Sequence, residues 1–308
     1  MDDFEGKVAF VSGAASGIGL GMVKAFVARG MQVMMADIEE KALLKVASTL
    51  DSNAISTIVC DVGSRESVQD AANETIETFG KVHVVCNNAG VSTGGLIDEC
   101  DSGDWDWCMG VNLMGVVHGC EAFVPHIKAQ GEGGHVVNTA SMAGLLGRNP
   151  GWTIYNASKY AVVGLTEALF EEGKIGGFGA SVLCPGAVRT QIYHAPRNRP
   201  ERHGPQRSKP AYTDISNDLA KGLDPDIVGQ LVTEAIIAKR LHIITDPRFG
   251  RMVNLWHRSG RTGKGYISLP QKALKAQSNF SLPTFRLLAS LTDTSKNLAM
   301  FSNVSPCS

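Results

Sequence analysis

Seven short apolar runs recur along the first 245 residues of this 308-residue chain, and helix-forming stretches separate them. The runs are KVAFVS (7–12), QVMMAD (32–37), ISTIVCD (55–61), VHVVCNNAG (82–90), HVVNTAS (135–141), ASVLCPG (180–186) and LHIIT (241–245). Each is short for a helix and too continuously apolar to leave one side in water, so each reads as a strand buried on both faces. The stretches between them carry helical spacing. In 17–30, Ile18, Met22, Phe26 and Val27 fall near one face, and Gly30 ends the pattern. Further helices are expected over 39–50, 64–79, 104–129, 153–174 and 224–239, the last capped by Asp224 with Pro225 at its first position. Strands alternating with helices need crossover connections. Right-handed crossovers then give an α/β, doubly wound, mostly parallel seven-stranded sheet with helices on both faces. Ligands of such a sheet bind beyond the carboxyl ends of its strands, so the residues that end the strands are the candidates for function.

SGAASGIG (12–19) ends the first strand and opens the first helix. Gly13 permits a tight turn, Gly17 lets backbone approach a pyrophosphate, and Gly19 allows close helix–sheet packing. Ser16 and Ile18 lie in the same turn, where the helix N-terminus offers unpaired N–H groups and partial positive charge to phosphate. Asp37 ends the second run, eighteen residues beyond Gly19. Its carboxylate can accept hydrogen bonds from an adenosine ribose and would repel a 2′-phosphate. No arginine or lysine lies in 12–19 or 34–38 to offset that charge, which favours NAD over NADP. Asp61 and Val62 end the third run, where the aspartate can meet an adenine amino group. Asn88, Ala89 and Gly90 close the fourth, with Gly90 leaving room for a cofactor.

In YNASK (155–159), Tyr155 and Lys159 stand four apart on an expected helix, one turn apart on one face. A cation beside a phenol favours the phenolate and lowers its pKa, so this tyrosine can pass a proton near neutral pH. Alone, these five residues are more often an incidental surface pair than a catalytic one, so the rest of the chain must decide.

Together, the motifs resemble those of a classical short-chain dehydrogenase/reductase. The resemblance covers about residues 5–250. It rests on the glycine motif at 12–19, Asp61, Asn87-Asn88-Ala89-Gly90, Asn112, Ser141, Tyr155 with Lys159, and Pro185-Gly186 with Thr190. Ser12 stands where that family usually has threonine. The interval from Ser141 to Tyr155 is fourteen residues, one longer than is common, and the extra residue falls in LLGRNPGW (145–152). The resemblance implies a single Rossmann-type domain over 1–264 that binds NAD and interconverts a secondary alcohol and a ketone. Tyr155 would be the general acid/base. Lys159 would lower its pKa and bind nicotinamide-ribose hydroxyls. Ser141 would hold the substrate oxygen, and Asn112 would organise a proton-relay water. Pro185, Gly186, Val188 and Thr190 would face the nicotinamide carboxamide. A homodimer or homotetramer is implied as well. Two other readings stay open: an NADPH-dependent carbonyl reductase, which Asp37 opposes, and a non-catalytic NAD-binding regulatory protein, which usually lacks Tyr155, Lys159 or Ser141.

Composition narrows the remaining classes. A net charge of −1 gives no basic field for nucleic acid. No run approaches the ~18 apolar residues of a membrane span, and the acidic start, Met1-Asp2-Asp3-Phe4-Glu5, lacks the positive region of a signal peptide. Seven cysteines without a Cys-x-x-Cys pair, among them Cys60, Cys86 and Cys184 near strand ends, point to buried thiols and a reducing, cytoplasmic setting. Eight histidines without ligand spacing predict no metal. Residues 191–223 carry four prolines with Arg197, Arg199, Arg202, Arg207 and Lys209, and read as an excursion over the site. Of Trp105, Trp107 and Trp152, the last is the best pocket candidate, three residues before Tyr155. Residues 265–308 hold only five charged residues and read as a weakly ordered or separately packed extension.

Overall fold

A computed structural model gives the fold, and it describes residues 3–50, 53–147, 149–205 and 214–246. All seven expected strands form: β1 (Val8–Ser12), β2 (Gln32–Asp37), β3 (Ile55–Val59), β4 (Val84–Asn87), β5 (His135–Thr139), β6 (Gly179–Cys184) and β7 (His242–Ile244). They make one sheet in the order β3-β2-β1-β4-β5-β6-β7. Every neighbouring pair is parallel. The chain winds outward from β1 to β3, then returns to place β4 beside β1. The order reverses there, and a crevice opens at the carboxyl ends of those two strands.

The helices are α1 (Gly17–Val27), α2 (Glu40–Ala47), α3 (Arg65–Phe79), α4 (Ser102–Met109), α5 (Gly115–Ala129), α6 (Ala143–Leu146), α7 (Thr153–Gly176), α8 (Ser216–Ala220) and α9 (Pro225–Ile237). Alternate strand residues set the core. Phe10, Met34, Val85, Val136 and Ala180 meet Val68 and Ala71 of α3, Phe123 and Ile127 of α5, and Leu169 of α7. Across the sheet, α1 and α9 meet backbone to backbone. A Cβ on Gly21 would lie 2.6 Å from the Pro225 carbonyl carbon, so only glycine permits this contact.

The helix expected over 104–129 differs in two ways. It begins at Ser102, because Asp101 and Asp104 cap each other. Asp104 N donates to Asp101 Oδ1 at 2.9 Å, and Asp101 N donates to Asp104 Oδ2 at 3.3 Å. It is also broken by a π-helical turn, Gly110–Met114, which carries Asn112. Such turns recur at functional sites. The whole stretch, Ser102–Ala129, is long and apolar enough to cross a membrane by length and composition. Half of its most apolar window is buried in the protein, as in a core helix.

Asn87, the first residue of the NNAG run, turns into the core. Its Nδ2 donates to Asn138 Oδ1 at 2.9 Å, and Asn138 Nδ2 donates to Thr166 Oγ1 at 3.1 Å. This chain ties β4 and β5 to α7 with every member paired, which is the condition for burying amides without cost.

The excursion after β6 is partly helical. It holds 3₁₀ turns at Ile192–Asn198 and Glu201–His203, followed by α8. Its two ends are stapled together: Leu223 N donates to Ala187 O and Arg189 N to Leu223 O, both at 2.9 Å. Arg207, Lys209 and the extension over 265–308 lie outside the described residues.

Candidate active site

The glycine turn folds onto itself at the mouth of the crevice. Gly13 and Gly17 have φ of +66° and +54°, a region that side chains disfavour. A Cβ on Gly19 would come 2.7 Å from the Gly13 carbonyl carbon and 2.8 Å from Asn88 Nδ2. Ser16 is extended and makes no side-chain cap, and the first turn of α1, which includes Ile18, holds no acidic residue. The positive helix end therefore faces the crevice without an anionic partner from its own turn, which fits a phosphate.

Ser12 closes the floor. Its Oγ accepts from Asn88 N at 2.9 Å and Ala89 N at 3.1 Å, and donates to Cys86 O at 3.3 Å. The hydroxyl thus sews β1 to the end of β4, the work a threonine hydroxyl would do. Asn88 lies across the crevice, with Nδ2 donating to Ser12 O and Oδ1 accepting from Thr139 Oγ1.

Asp37 is fastened at the end of β2. Oδ2 accepts from Ala15 N and Oδ1 from Glu39 N, each at 3.0 Å. Burial pushes its pKa up, against the pull of those bonds. Each oxygen keeps a second acceptor direction. Asp61 is engaged too, with Oδ1 accepting from Gly63 N at 2.9 Å and Oδ2 lying 3.6 Å from Arg202. Val62 packs into the core, and its carbonyl pairs with His118 Nδ1 at 2.9 Å. After β6, Met142 N bonds Pro185 O, Gly186 N donates to Thr245 Oγ1, and Val188 is buried. Thr190 then reaches the glycine turn, since a Cβ on Gly17 would meet its methyl at 3.0 Å.

On the opposite wall, α7 presents Tyr155 and Lys159 one turn apart. Lys159 is buried, its Nζ 5.7 Å from the Tyr155 ring centroid and donating to Thr139 O at 2.9 Å. A Cβ on Gly90 would come 3.5 Å from that Nζ, so Gly90 keeps the approach to the amine open. Ser141 stands just beyond β5, its Oγ accepting from Ala143 N at 3.1 Å and hydrogen-bonded to the Tyr155 hydroxyl. Trp152 sets its ring edge-on to Tyr155 with centroids 5.4 Å apart, and its backbone pairs with Gly95. The tryptophan chosen from sequence is the one that touches the tyrosine, whereas Trp107 packs under Arg199.

Asn112 is fully buried and paired. Its Oδ1 accepts from Val91 N at 2.8 Å, and its Nδ2 donates to Val91 O at 2.9 Å and Ser158 Oγ at 3.0 Å. Ser158 Oγ donates on to Tyr155 O at 2.8 Å. Asn112 thus couples the loop after β4 to the tyrosine's own turn. Ser158 and Thr139 were not singled out from sequence, although Ser158 lies inside YNASK.

One expectation reverses. Adjacency to Lys159 predicts a lowered tyrosine pKa, yet burial pushes Tyr155 up to about 12, with the Ser141 bond acting the other way. Burial also brings Lys159 down to about 8. Desolvation penalises phenolate and ammonium alike, and the amine spends one donor on Thr139 O rather than on the phenol.

Comparison with known proteins agrees with this geometry. A family profile described as short chain dehydrogenase matches residues 7–201. The CLA biosynthesis dehydrogenase/reductase of Lactiplantibacillus plantarum is 34% identical over 265 residues, covering 82% of this chain and 92% of that protein. The C alpha-dehydrogenase of Sphingobium sp. is 32% identical over 253 residues, 80% of this chain and 83% of its own. A short chain dehydrogenase/reductase from Burkholderia phymatum, solved in complex with NAD, is 39% identical with a TM-score of 0.78, over 87% of this chain and all of that one. The strand order, the folded motifs and the matched length converge: this chain belongs to the short-chain dehydrogenase/reductase family of oxidoreductases.

Proposed function

We infer that the protein is an NAD(H)-dependent dehydrogenase that interconverts a secondary alcohol and a ketone, with Tyr155 as general acid/base. The observation that carries this reading is the meeting of Tyr155, Ser141 and Lys159 beside a glycine turn shaped for pyrophosphate. Gly13, Ser16, Gly17, Ile18 and Gly19 would hold the phosphates and Asp37 the adenosine ribose. Asp61, Val62, Asn88, Ala89 and Gly90 would line the middle. Pro185, Gly186, Val188 and Thr190 would border the nicotinamide. The NAD-bound Burkholderia relative supports that choice of cofactor. When bound, the nicotinamide accepts or supplies the hydride.

The chain's own groups do the rest. Ser141 Oγ holds the substrate oxygen. Tyr155 Oη gives its proton to that oxygen on reduction and takes it back on oxidation. Lys159, kept charged below about pH 8, would bind the nicotinamide-ribose hydroxyls while Thr139 O holds its amine in place. Asn112 acts as a positioning residue through Ser158. All three side chains that a non-catalytic relative would lose come together here, which disfavours the regulatory reading.

Lys159→Ala is expected to lower both turnover and NADH affinity; unchanged values of both would contradict the shared role. Cofactor choice is tested by comparing kcat/KM with NAD and NADP. The wild type is expected to prefer NAD by on the order of 100-fold, since like charges brought together cost several kcal/mol. Asp37→Ala should narrow that preference to about tenfold or less. Equal use of NADP by the wild type would instead establish the carbonyl-reductase alternative. A screen of secondary alcohols with NAD, read at the reduced-nicotinamide absorbance, would identify the substrate class.

A further inference from the structure

The excursion after β6 crosses the carboxyl edge of the sheet and is tied down on the far side. Near its start, Ser92 Oγ donates to Ile192 O at 3.1 Å, beside the loop that follows β4. Its middle is anchored to α4. Arg199, its guanidinium almost fully buried, pairs with Asp104, donates to His203 O and Gly204 O, and lies 5.5 Å from the Trp107 ring centroid. Backbone also meets backbone here, because a Cβ on Gly103 would come 3.0 Å from the His203 carbonyl carbon. Between these anchors the strap reaches the end of β2. Arg197 pairs with Glu39, and Asn198 Nδ2 donates to the same carboxylate oxygen at 2.8 Å. Glu39 in turn donates its N–H to Asp37 Oδ1. Arg202 lies 3.6 Å from Asp61 at the end of β3, an exposed and weaker contact.

Asp37 and Asp61 are the residues assigned above to the adenosine half of the cofactor. We propose that Arg197 and Asn198, closing on Glu39, form a latch that retains the adenosine end of the dinucleotide in the crevice. This rests on the dinucleotide reading of the site and adds to it a determinant of cofactor release. Burial acts to raise the Glu39 pKa, yet the Arg197 and Asn198 bonds hold it below the usual carboxylate range, so the latch carries its full charge at neutral pH. Arg199 differs in kind: it is the fixed post on which the strap is mounted, whereas the Arg197–Glu39 pair is partly exposed and able to open.

The test is the rate of NADH release from the full-length protein, followed by stopped-flow fluorescence with excess NAD as trap. One partly exposed pair is worth about a three- to fivefold change in rate. Arg197→Ala and Glu39→Gln are each expected to speed release by that factor, and Arg197→Lys to restore most of the slow rate. Wild-type release should quicken as salt rises from about 0.1 M to about 1 M, where screening shortens to a few ångströms, and Arg197→Ala should lose that dependence. Glu39→Gln leaves the strap's own sequence intact, so it separates a latch from a strap that has unravelled. Unchanged release in both Arg197→Ala and Glu39→Gln, or faster release that keeps the full salt dependence, overturns the latch. A wild type that fails to bind NADH overturns the dinucleotide reading itself, and the latch with it.

Discussion

Tyr155→Phe is expected to remove turnover, with a loss of at least about 10²–10⁴-fold, the range for one positioned acid–base group. The ring would stay. Its edge-on contact with Trp152 and its place on α7 do not depend on the hydroxyl. Lys159 would keep its bond to Thr139 O. The glycine turn lies on other elements, so NADH affinity should change little. The loss should fall on kcat and kcat/KM together, because the missing proton transfer belongs to the transition state. Steady-state kinetics and a fluorescence titration with NADH measure the two halves. Near-normal activity would remove Tyr155 from its role, while loss of NADH binding would show that its hydroxyl is structural.

Gly19→Ala is the second large effect, and its sign runs against helix preference. Gly19 lies in α1 without a positive φ, and alanine in an ordinary helical position stabilises by roughly 1 kcal/mol over glycine. At this position the added carbon would strike the Gly13 carbonyl and crowd Asn88 Nδ2. Neither neighbour yields easily, since one is backbone and the other is held to Ser12 O and Thr139 Oγ1. Overpacking of this sort costs about 1–3 kcal/mol. The strain falls on the phosphate turn, so NADH affinity should drop by about tenfold for each 1.4 kcal/mol felt in the bound state. Gly164→Ala in α7 is the control. A Cβ there meets nothing within 4 Å, and the change should stabilise by about 0.5–1 kcal/mol. Thermal melts and NADH titrations of both variants check the contrast. Gly19→Ala with wild-type melting and affinity would show that the turn moves aside.

The parts of this fold legible in sequence are those that local periodicity and strand ends determine. QVMMAD is β2 to the residue, because burial on both faces makes the whole run apolar. The glycine turn and YNASK are short enough that spacing alone sets their geometry. The π-helical turn was not legible, since one extra residue in a turn leaves the apolar pattern of 104–129 almost unchanged. The direction of the tyrosine's pKa is not legible either, because adjacency in sequence says nothing about desolvation. The Arg197–Glu39 pair is hidden for another reason. Neither 12–19 nor 34–38 holds a basic residue, and the guanidinium that pairs with Glu39 comes from a segment 158 residues away. Its charge is already matched by Glu39, so it does not by itself invite a 2′-phosphate.

The staple between Ala187 and Leu223 brings the two ends of the intervening segment together. Because its ends clasp each other, a change of length that spares the anchors on Ser92, Glu39 and α4 need not pull on β6 or α9, and doubling a flexible loop adds only about 0.6 kcal/mol of closure entropy. Val188, Thr190 and the Arg197–Glu39 pair all lie inside or upon this clasp, so any segment exchanged here would have to keep those positions while varying the rest.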